Sequence, residues 1–203
     1  MQNIVLCGGP GCGKTTFAKL FVEKIPAYRY QYMSFPAVRI PMTLVKTTHP
    51  HLLELSKEEY LKTIEEHKKT EIVHHTRTEI STFGKTLIER YGPQIMGEAG
   101  YSFCDKESTI LDGLAGVPSL LFLRNKGFFV IGFTCKFFTQ VQRRMHDVKK
   151  MDSQENIERM VLETNKYLDT EECIKHADVV YDTDVMKTEE IVVDVMKRMD
   201  SKK

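Results

Sequence analysis

The sequence predicts an α/β protein in which a parallel sheet of five strands is flanked by helices. Short apolar or aromatic runs at residues 3–7, 28–33, 108–111, 127–133 and 177–181 are separated by segments whose apolar residues repeat with helical spacing. The run at 127–133 is continuously apolar, which is typical of a parallel strand that is covered on both faces. Strands that alternate with helices build such a sheet. The 203 residues fit one domain, and we interpret 1–203 as a single unit.

The first helix follows the first strand after a glycine-rich loop. It is expected over residues 14–25, because Phe17, Leu20 and Phe21 fall on one side, and Pro26 ends it. Later helical patterns are expected over residues 78–91, 117–124, 138–146, 152–167, 171–176 and 188–199.

The segment after the second strand is harder to place. Prolines bracket residues 35–41, which predicts a turn. Ser56 and Glu59 form the pattern of a capping box at the start of a polar helix that runs to about residue 69. Residues 43–76 are polar and helical, so we interpret them as an insertion that covers a ligand rather than builds core. A solvated helical decoration is the alternative.

Bulk properties exclude several classes of protein. The formal net charge is +1, whereas general binders of nucleic acid or of membrane surfaces carry a basic excess. No apolar stretch approaches eighteen uncharged residues, so we expect neither a signal peptide nor a membrane span. The five cysteines are widely spaced, without a CxxC pair, which is typical of free thiols in a reducing compartment. We therefore expect a cytoplasmic location, with the nucleus as the alternative, and the oligomeric state stays open.

The most specific motif is the loop between the first strand and the first helix. Its residues are Gly8-Gly9-Pro10-Gly11-Cys12-Gly13-Lys14-Thr15-Thr16, which match the phosphate-binding P-loop in spacing and in the flanking strand and helix. Glycines let the backbone turn tightly and point its N–H groups at phosphate oxygens. The start of a helix adds unpaired N–H groups and a positive dipole end. The loop therefore predicts binding of a nucleoside triphosphate.

Two side chains of the loop and one distant carboxylate complete the predicted donor site. Lys14 supplies a positive charge for the β- and γ-phosphates, and the Thr15 hydroxyl is a ligand for Mg²⁺. Asp112 ends the third strand, at the edge of the sheet where α/β proteins bind ligands. We expect it to hold Mg²⁺ through water or to orient the acceptor, and the alternative is a turn aspartate before Gly113.

Other classes of P-loop protein fit poorly. GTPases carry Asp-x-x-Gly after a strand, but Asp112 is followed by Gly-Leu-Ala. Asn125-Lys126-Gly127-Phe128 begins like a guanine-reading motif but has Phe128 in place of the carboxylate that reads the base. No acidic Walker B pair of the kind found in AAA machines follows any predicted strand. A small ATP-dependent kinase needs none of these features.

Several segments resemble known kinases. The P-loop and Ile110-Leu111-Asp112-Gly113 are similar to those of adenylate kinases and other nucleoside monophosphate kinases. The order of elements from residue 108 to 199, with Ala177-Asp178-Val179-Val180-Tyr181-Asp182-Thr183-Asp184, resembles dephospho-CoA kinase and its archaeal kinase-like relatives, in which such a strand ends beside the nucleotide base. Residues 84–93 are similar to the substrate-side helix of the archaeal group. The resemblance implies a nucleotide-kinase-like fold that uses ATP and Mg²⁺.

The resemblance also implies roles for several cations. Arg143 and Arg144 stand where such kinases place lid arginines, so residues 138–168 are interpreted as a lid. A closing lid neutralises γ-phosphate oxygens and excludes water. Lys149, Lys150 and Arg159 are further candidates, each with a solvated surface position as the alternative.

On the acceptor side, the resemblance places Arg39 against the acceptor's phosphate, with Arg77 as a second candidate, and residues 43–98 form the acceptor-side insertion. The sequence differs from the resembled kinase families at two places on the acceptor side. Adenylate kinases continue Asp-Gly with Phe-Pro-Arg, whereas this chain has Leu114-Ala115-Gly116. Dephospho-CoA kinases carry an aspartate after the second strand, but Ser34 and Phe35 stand there.

Because an acceptor phosphate is already ionised and needs no base, we favour a nucleotide or nucleotide-like acceptor. Transfer to a hydroxyl of dephospho-CoA or a nucleoside is the alternative, with Asp112 as its base. A catalytically silent nucleotide-binding regulator is a third hypothesis.

Overall fold

The computed structural model describes residues 2–104, 108–113, 116–147 and 153–200, without the side chains of Phe35, Arg77 and Asp147. The strands are β1 (Ile4–Gly8), β2 (Tyr28–Tyr32), β3 (Ser108–Asp112), β4 (Phe129–Thr134) and β5 (Val179–Asp182). The α-helices are α1 (Lys14–Lys24), α2 (Ile40–Thr47), α3 (Lys57–Glu66), α4 (Arg77–Tyr91), α5 (Ile95–Ser102), α6 (Val117–Asn125), α7 (Phe137–Asp147), α8 (Gln154–Tyr167), α9 (Thr170–Lys175) and α10 (Thr188–Asp200).

The strands pair in parallel to form one sheet across the described part of the chain, in the order β2-β3-β1-β4-β5. The predicted five-stranded α/β fold is confirmed. The change of direction in strand order falls at β1, whose carboxyl end lies between those of β3 and β4. Parallel α/β sheets bind ligands at such a point, because the loops after neighbouring strands diverge there.

Both faces of the sheet are covered, as the apolar strands predict. Ile4 and Leu6 of β1 pack with Phe17 and Phe21 of α1 and with residues of α10 on one face. Val5 and Cys7 point to the other face, where they pack with residues of α6 and α9. Because successive side chains of a strand alternate between faces, β1 must be apolar at every position. This core fixes the loop that follows β1.

A second apolar cluster lies in the helical region between β2 and β3. Leu44, Leu52, Tyr60 and Ile64 are 0–1 % exposed and pack with residues of α4 and α5. The expectation that residues 43–76 do not build core is therefore wrong, while their covering of a ligand stays a prediction. The segment is polar on average, but its few apolar residues share one side. Tyr60 and Ile64, four positions apart on α3, show this spacing.

The predicted turn at residues 35–41 is also wrong. The chain forms a π-helical turn at Phe35–Arg39 and then enters α2 directly. Pro41 stands in the first turn of α2, where its missing N–H has no intrahelical acceptor and costs nothing. The prolines start a helix here rather than interrupt one.

Helix α5 is absent from the sequence-based expectations. Gly97 and Gly100 lower its intrinsic helix propensity, but the packing requires Gly97. A Cβ atom at Gly97 would lie 2.6 Å from the carbonyl oxygen of Ser119 on α6. The close approach of α5 to α6 therefore explains the glycine and stabilises the helix.

The capping box at Ser56 and Glu59 is confirmed at the start of α3. An equivalent box, formed by Thr76 and Glu79, opens α4. Among the described residues, none of the helices has the length and apolar composition needed to cross a membrane.

Candidate active site

The loop after β1 has the backbone shape that its glycines predict. Gly8, Gly11 and Gly13 have φ values of 136°, 76° and 84°, in the region that side chains other than glycine rarely adopt. A Cβ atom at Gly11 would lie 2.8 Å from the carbonyl oxygen of Gln140 on α7, and one at Gly8 would collide with the carbonyl oxygen of Phe133. The loop is therefore packed tightly against β4 and α7, and no larger residue fits at these two positions.

Helix α1 begins directly after this loop. Gly13 is its N-cap and supplies no side-chain acceptor for the first N–H groups. Those donors, together with the positive end of the helix dipole, remain for an anion. Because the glycine conformation and the uncapped helix start occur together, the loop is suited to bind phosphate groups.

Lys14 lies across the loop. Its Nζ atom donates hydrogen bonds of 2.7 Å to the carbonyl oxygens of Gly8 and Gly9, and the residue is 9 % exposed. These carbonyls hold the ammonium group beside the N–H donors of the same loop. A point charge in this position is suited to phosphate oxygens.

Asp112 connects the end of β3 to the first turn of α1. Its Oδ2 atom accepts hydrogen bonds from the Thr15 hydroxyl at 2.8 Å and from the Tyr30 hydroxyl at 3.1 Å. Asp112 is 1 % exposed, and its Oδ1 atom is buried with no hydrogen-bond partner among the described residues. A buried carboxylate oxygen without a partner is costly, so this oxygen indicates a ligand.

The donor set fits Mg²⁺. Magnesium prefers oxygen ligands and is commonly bound by one or two protein oxygens together with substrate phosphates. Thr15 and Asp112 offer a hydroxyl and a carboxylate beside the phosphate-binding loop. The described residues contain no cluster of three or more His, Cys, Asp or Glu side chains that could hold a metal alone. A metal at Thr15 and Asp112 would therefore depend on the nucleotide for its remaining ligands.

Tyr30 was missed by the sequence analysis. Burial and the neighbouring Asp112 carboxylate both raise the pKa of its hydroxyl, so Tyr30 remains a neutral donor. The available signal was its position: Tyr30 lies on β2, beside β3, and pairs with Ile110 two residues before Asp112. Thr15 and Tyr30 each donate one hydrogen bond to the Oδ2 atom of Asp112, and the Oδ1 atom of Asp112 is left without a partner in the described structure.

The two predicted lid arginines have different surroundings. Arg143 donates to the carbonyl oxygen of Gly11 at 3.0 Å, and to the hydroxyl and carbonyl of Thr183 at 2.8 and 3.0 Å. It thus fastens α7 to the phosphate-binding loop and to the segment after β5. Arg143 also lines the first of two neighbouring cavities, whereas Arg144 lines both.

The first cavity lies above the phosphate-binding loop and has a volume of about 690 Å³. The second, of about 720 Å³, lies between the end of β2, α4 and α8. Both volumes are in the range of ligand pockets in proteins. The residues that line both cavities are Tyr32, Gly113, Arg144, Thr164 and Leu168. The site is therefore bilobed, and Arg144 is the cation at the junction.

The second cavity is rich in cationic groups. Arg39, Lys85 and Arg144 line it, and Glu163 is the carboxylate among its described lining residues. The Nε atom of Arg39 and the hydroxyl of Ser34 are buried without a hydrogen-bond partner in the described structure. Unpaired buried donors beside excess positive charge indicate an anionic ligand.

His75 lines the same cavity as a neutral group. Burial and then the nearby Lys46 ammonium lower its pKa. The Nζ atom of Lys46 can only donate, so its 3.3 Å contact makes Nδ1 the acceptor, while Nε2 donates to the Thr43 hydroxyl at 3.0 Å. His75 therefore adds no charge to the cavity at neutral pH.

Of the four remaining predicted cations, the structure describes the side chain of Arg159 alone. Arg77 begins α4, and its side chain is outside the described part of the structure. Lys149 and Lys150 lie outside the described residues, so the interpretation of residues 138–168 as a lid stays a prediction. Arg159 is exposed on α8 and donates to Asn156 at 3.0 Å.

No protein-family model matches the sequence, and the comparison with curated proteins gives no match. Solved structures match over nearly the full length. Shikimate kinase from Bacteroides thetaiotaomicron has a TM-score of 0.52 at 12 % identity and covers 98 % of both chains. Shikimate kinase from Acinetobacter baumannii, in complex with shikimate, has a TM-score of 0.51 at 19 % identity, covering 100 % of this chain and 95 % of its own. A protein from Thermus thermophilus gives 0.53 at 16 % identity, with 98 % of both chains covered.

The chain shares the fold of these solved structures. The predicted P-loop fold is thus confirmed, while similarity at this level of identity shows the fold alone. The identity of the acceptor must be argued from the residues that line the second cavity.

Proposed function

We propose that this protein is an ATP-dependent phosphotransferase that moves the γ-phosphate to a small anionic acceptor, a nucleotide or a nucleotide-like phosphate. The observation that carries the proposal is the bilobed site. A phosphate-binding loop with Lys14, Thr15 and Asp112 lines one lobe, and Arg39 and cationic neighbours line the other. Two substrates that exchange a phosphoryl group need two adjacent pockets with positive charge between them, because such transfer depends on positioning and charge neutralisation.

In this proposal the donor lobe holds the triphosphate of ATP. Residues 8–16 bind its phosphates, with Lys14 on the β- and γ-phosphates. Thr15 and Asp112 hold Mg²⁺, which neutralises charge on the phosphate oxygens when it is bound with the nucleotide. We assign adenine rather than guanine because the guanine-reading motif ends in Phe128.

The two arginines of α7 receive separate roles. Arg144, at the junction, contacts the phosphoryl group during transfer and stabilises its charge. Arg143 is a positioning residue, because three of its five N–H donors are used by Gly11 and Thr183.

In the acceptor lobe, Arg39 binds the anionic group of the acceptor and Lys85 supports it. A phosphate acceptor suits this lobe because a phosphate oxygen is a nucleophile without loss of a proton. Residues 43–98 then form the acceptor side of the enzyme. The apolar cluster of this region packs against α4 and fixes the position of that helix.

Transfer to a hydroxyl is a second candidate function, favoured by one observation. Glu163 lines the acceptor lobe, where a carboxylate is placed to accept the proton of a hydroxyl nucleophile. A shikimate kinase of similar fold has been solved in complex with shikimate, which supports a small-molecule acceptor here.

An acceptor screen separates these functions. The chain is incubated with γ-labelled ATP and Mg²⁺ and with each of two groups of acceptors: nucleoside monophosphates, and hydroxyl compounds that include shikimate, nucleosides and dephospho-CoA. Label in a nucleoside diphosphate supports the proposal, and label on a hydroxyl compound supports the second candidate. Tight ATP binding without transfer to any acceptor contradicts both and favours a regulator.

We also propose that the protein acts in the cytoplasm, because its described cysteines are free thiols.

A further inference from the structure

Two free thiols are in contact at the phosphate-binding loop. Cys12 belongs to the loop and is 1 % exposed, and Cys135 follows β4 directly and is partly exposed. The Cys135 thiol donates to the sulfur of Cys12 at 3.3 Å, and it also lies 3.9 Å from the carbonyl oxygen of Gly11. A disulfide needs a sulfur–sulfur distance of about 2.05 Å, so the pair must approach by only about 1.3 Å more.

The surroundings of Cys12 and Cys135 favour the loss of one proton from the two thiols. The hydrogen bond from Cys135 lowers the pKa of Cys12, and the Lys14 ammonium and the Arg143 guanidinium act in the same direction. The pKa of Cys135 is raised because its proton is held between the two sulfurs. A thiolate, unlike a thiol, is a nucleophile, so one sulfur of the pair is reactive.

Two other cysteines provide an internal comparison. Burial raises the pKa of Cys7 and of Cys173 to about 12. These two residues belong to the apolar cluster under the sheet, and the Cys7 thiol donates to the carbonyl oxygen of Cys173 at 3.7 Å. They are structural cysteines that remain protonated.

We propose that Cys12 and Cys135 form an oxidative modification site, at which a peroxide converts the thiol pair into a disulfide that fastens the phosphate-binding loop to the end of β4. This goes beyond the proposed phosphotransfer, because it makes nucleotide binding depend on the redox state of the chain.

The chemistry balances with hydrogen peroxide as the oxidant. The ionised sulfur of the pair attacks one peroxide oxygen, an S–O bond forms, the O–O bond breaks, and hydroxide leaves. The second sulfur then attacks the sulfenic sulfur, the S–S bond forms, the S–O bond breaks, and the departing oxygen takes up the proton of the second thiol. In sum, two thiols and one peroxide yield one disulfide and two waters.

The disulfide acts on the geometry of the loop. Cys12 stands between Gly11 and Gly13, which both have positive φ, and its own N–H donates to the carbonyl oxygen of Gly9 at 3.4 Å. Drawing Cys12 toward Cys135 turns the N–H groups on both sides of it. A displacement of about 1 Å at a phosphate-positioning group lowers activity by roughly a hundredfold. By linkage, a bound nucleotide disfavours the disulfide by the same factor by which the disulfide weakens nucleotide binding.

Peptide mapping after peroxide treatment tests the crosslink. The reduced wild-type chain is compared with Cys12→Ser, Cys135→Ser and the control Cys104→Ser, whose thiol is also partly exposed. We expect a 12–135 linked peptide in the wild type and in the control, and none in the other two variants. A disulfide with different partners, or oxidation that leaves both thiols uncrosslinked, overturns the proposal.

Nucleotide affinity tests the consequence. Binding of a fluorescent ATP analogue to the wild type is expected to weaken by about 5- to 150-fold after oxidation, the usual range of coupling between two sites, and to recover with dithiothreitol. Binding to Cys135→Ser is expected to be insensitive to peroxide, which controls for oxidation of methionines. An unchanged affinity in the crosslinked protein overturns the regulatory role. If the reduced chain does not bind ATP, the proposed function fails, while the peptide map still decides whether the disulfide forms.

Discussion

The Thr15 hydroxyl, in the first turn of α1, donates a 2.8 Å hydrogen bond to the carboxylate of Asp112 at the end of β3. The two residues are 97 positions apart in the sequence. They meet because β1 and β3 are parallel neighbours whose carboxyl ends lie side by side. This contact joins the phosphate-binding loop to an acidic side chain, which is the pairing that a nucleotide-bound Mg²⁺ requires.

Asp112→Asn is expected to weaken metal binding in the presence of nucleotide. The substitution keeps the size of the side chain but removes the charge of the unpaired buried oxygen. Loss of a group that holds a metal through water lowers affinity by about ten- to a hundredfold. Mn²⁺ binding measured by electron paramagnetic resonance with an ATP analogue checks this, with the exposed Glu65→Gln as control. Equal Mn²⁺ affinity in wild type and Asp112→Asn would place Asp112 outside the metal site.

Tyr30→Phe is expected to lower kcat by about tenfold, or about 1.4 kcal/mol, with the KM values for both substrates nearly unchanged. The reason is that Tyr30 orients the Asp112 carboxylate without reaching either substrate. Tyr28→Phe is the matched control, since Tyr28 lies at the start of the same strand and its hydroxyl donates to the Gln2 carbonyl before β1. A loss of thermal stability in Tyr30→Phe with unchanged kcat would contradict the positioning role.

Arg144→Ala is expected to lower mainly kcat, whereas Arg143→Ala is expected to lower thermal stability and the affinity for ATP. Removing a cation that contacts the phosphoryl group costs about a hundred- to a thousandfold in kcat, and for Arg144 we expect this loss with little change in the affinity for ATP. Arg143→Ala breaks one hydrogen bond to Gly11 of the loop and two to Thr183, so it is expected to lower the Tm and the affinity for ATP. Thermal melts and steady-state kinetics on both variants check the assignment, which the reverse pattern would refute.

Arg39→Ala is expected to raise the KM for the acceptor and to leave the KM for ATP unchanged. Hydrogen bonds to charged groups contribute about 1.5–3 kcal/mol, so the increase is between about tenfold and a hundredfold. Arg90→Ala, on the exposed side of α4, is the control. If both KM values rise together, Arg39 acts on the fold of the region rather than on the acceptor.

Much of this arrangement follows from local sequence patterns. The strands and the glycine-rich loop are predictable, because continuous burial and positive φ impose strong demands on residue type at each position. The pairing of Thr15 with Asp112 follows from the rule that parallel strands end at one edge of the sheet.

Other features depend on contacts between distant segments. Helix α5 contains two glycines and is stabilised by its packing on α6, which no local pattern reveals. The contact between Cys12 and Cys135 spans 123 positions. Arg143 and Arg144 are neighbours in sequence with the same chemistry, yet one contacts the loop and the other lines the junction, because successive residues on a helix point about 100° apart. Such differences are decided by packing alone.

The central claim is that Lys14 acts on the phosphate that is transferred. Transfer of label from γ-labelled ATP to a nucleoside monophosphate, measured for wild type, Lys14→Ala and the exposed Lys19→Ala of the same helix, tests it most directly. We predict transfer by wild type and Lys19→Ala, and a rate lower by roughly a hundred- to a thousandfold in Lys14→Ala with an unchanged circular dichroism spectrum. Transfer at the wild-type rate by a folded Lys14→Ala variant would contradict the account.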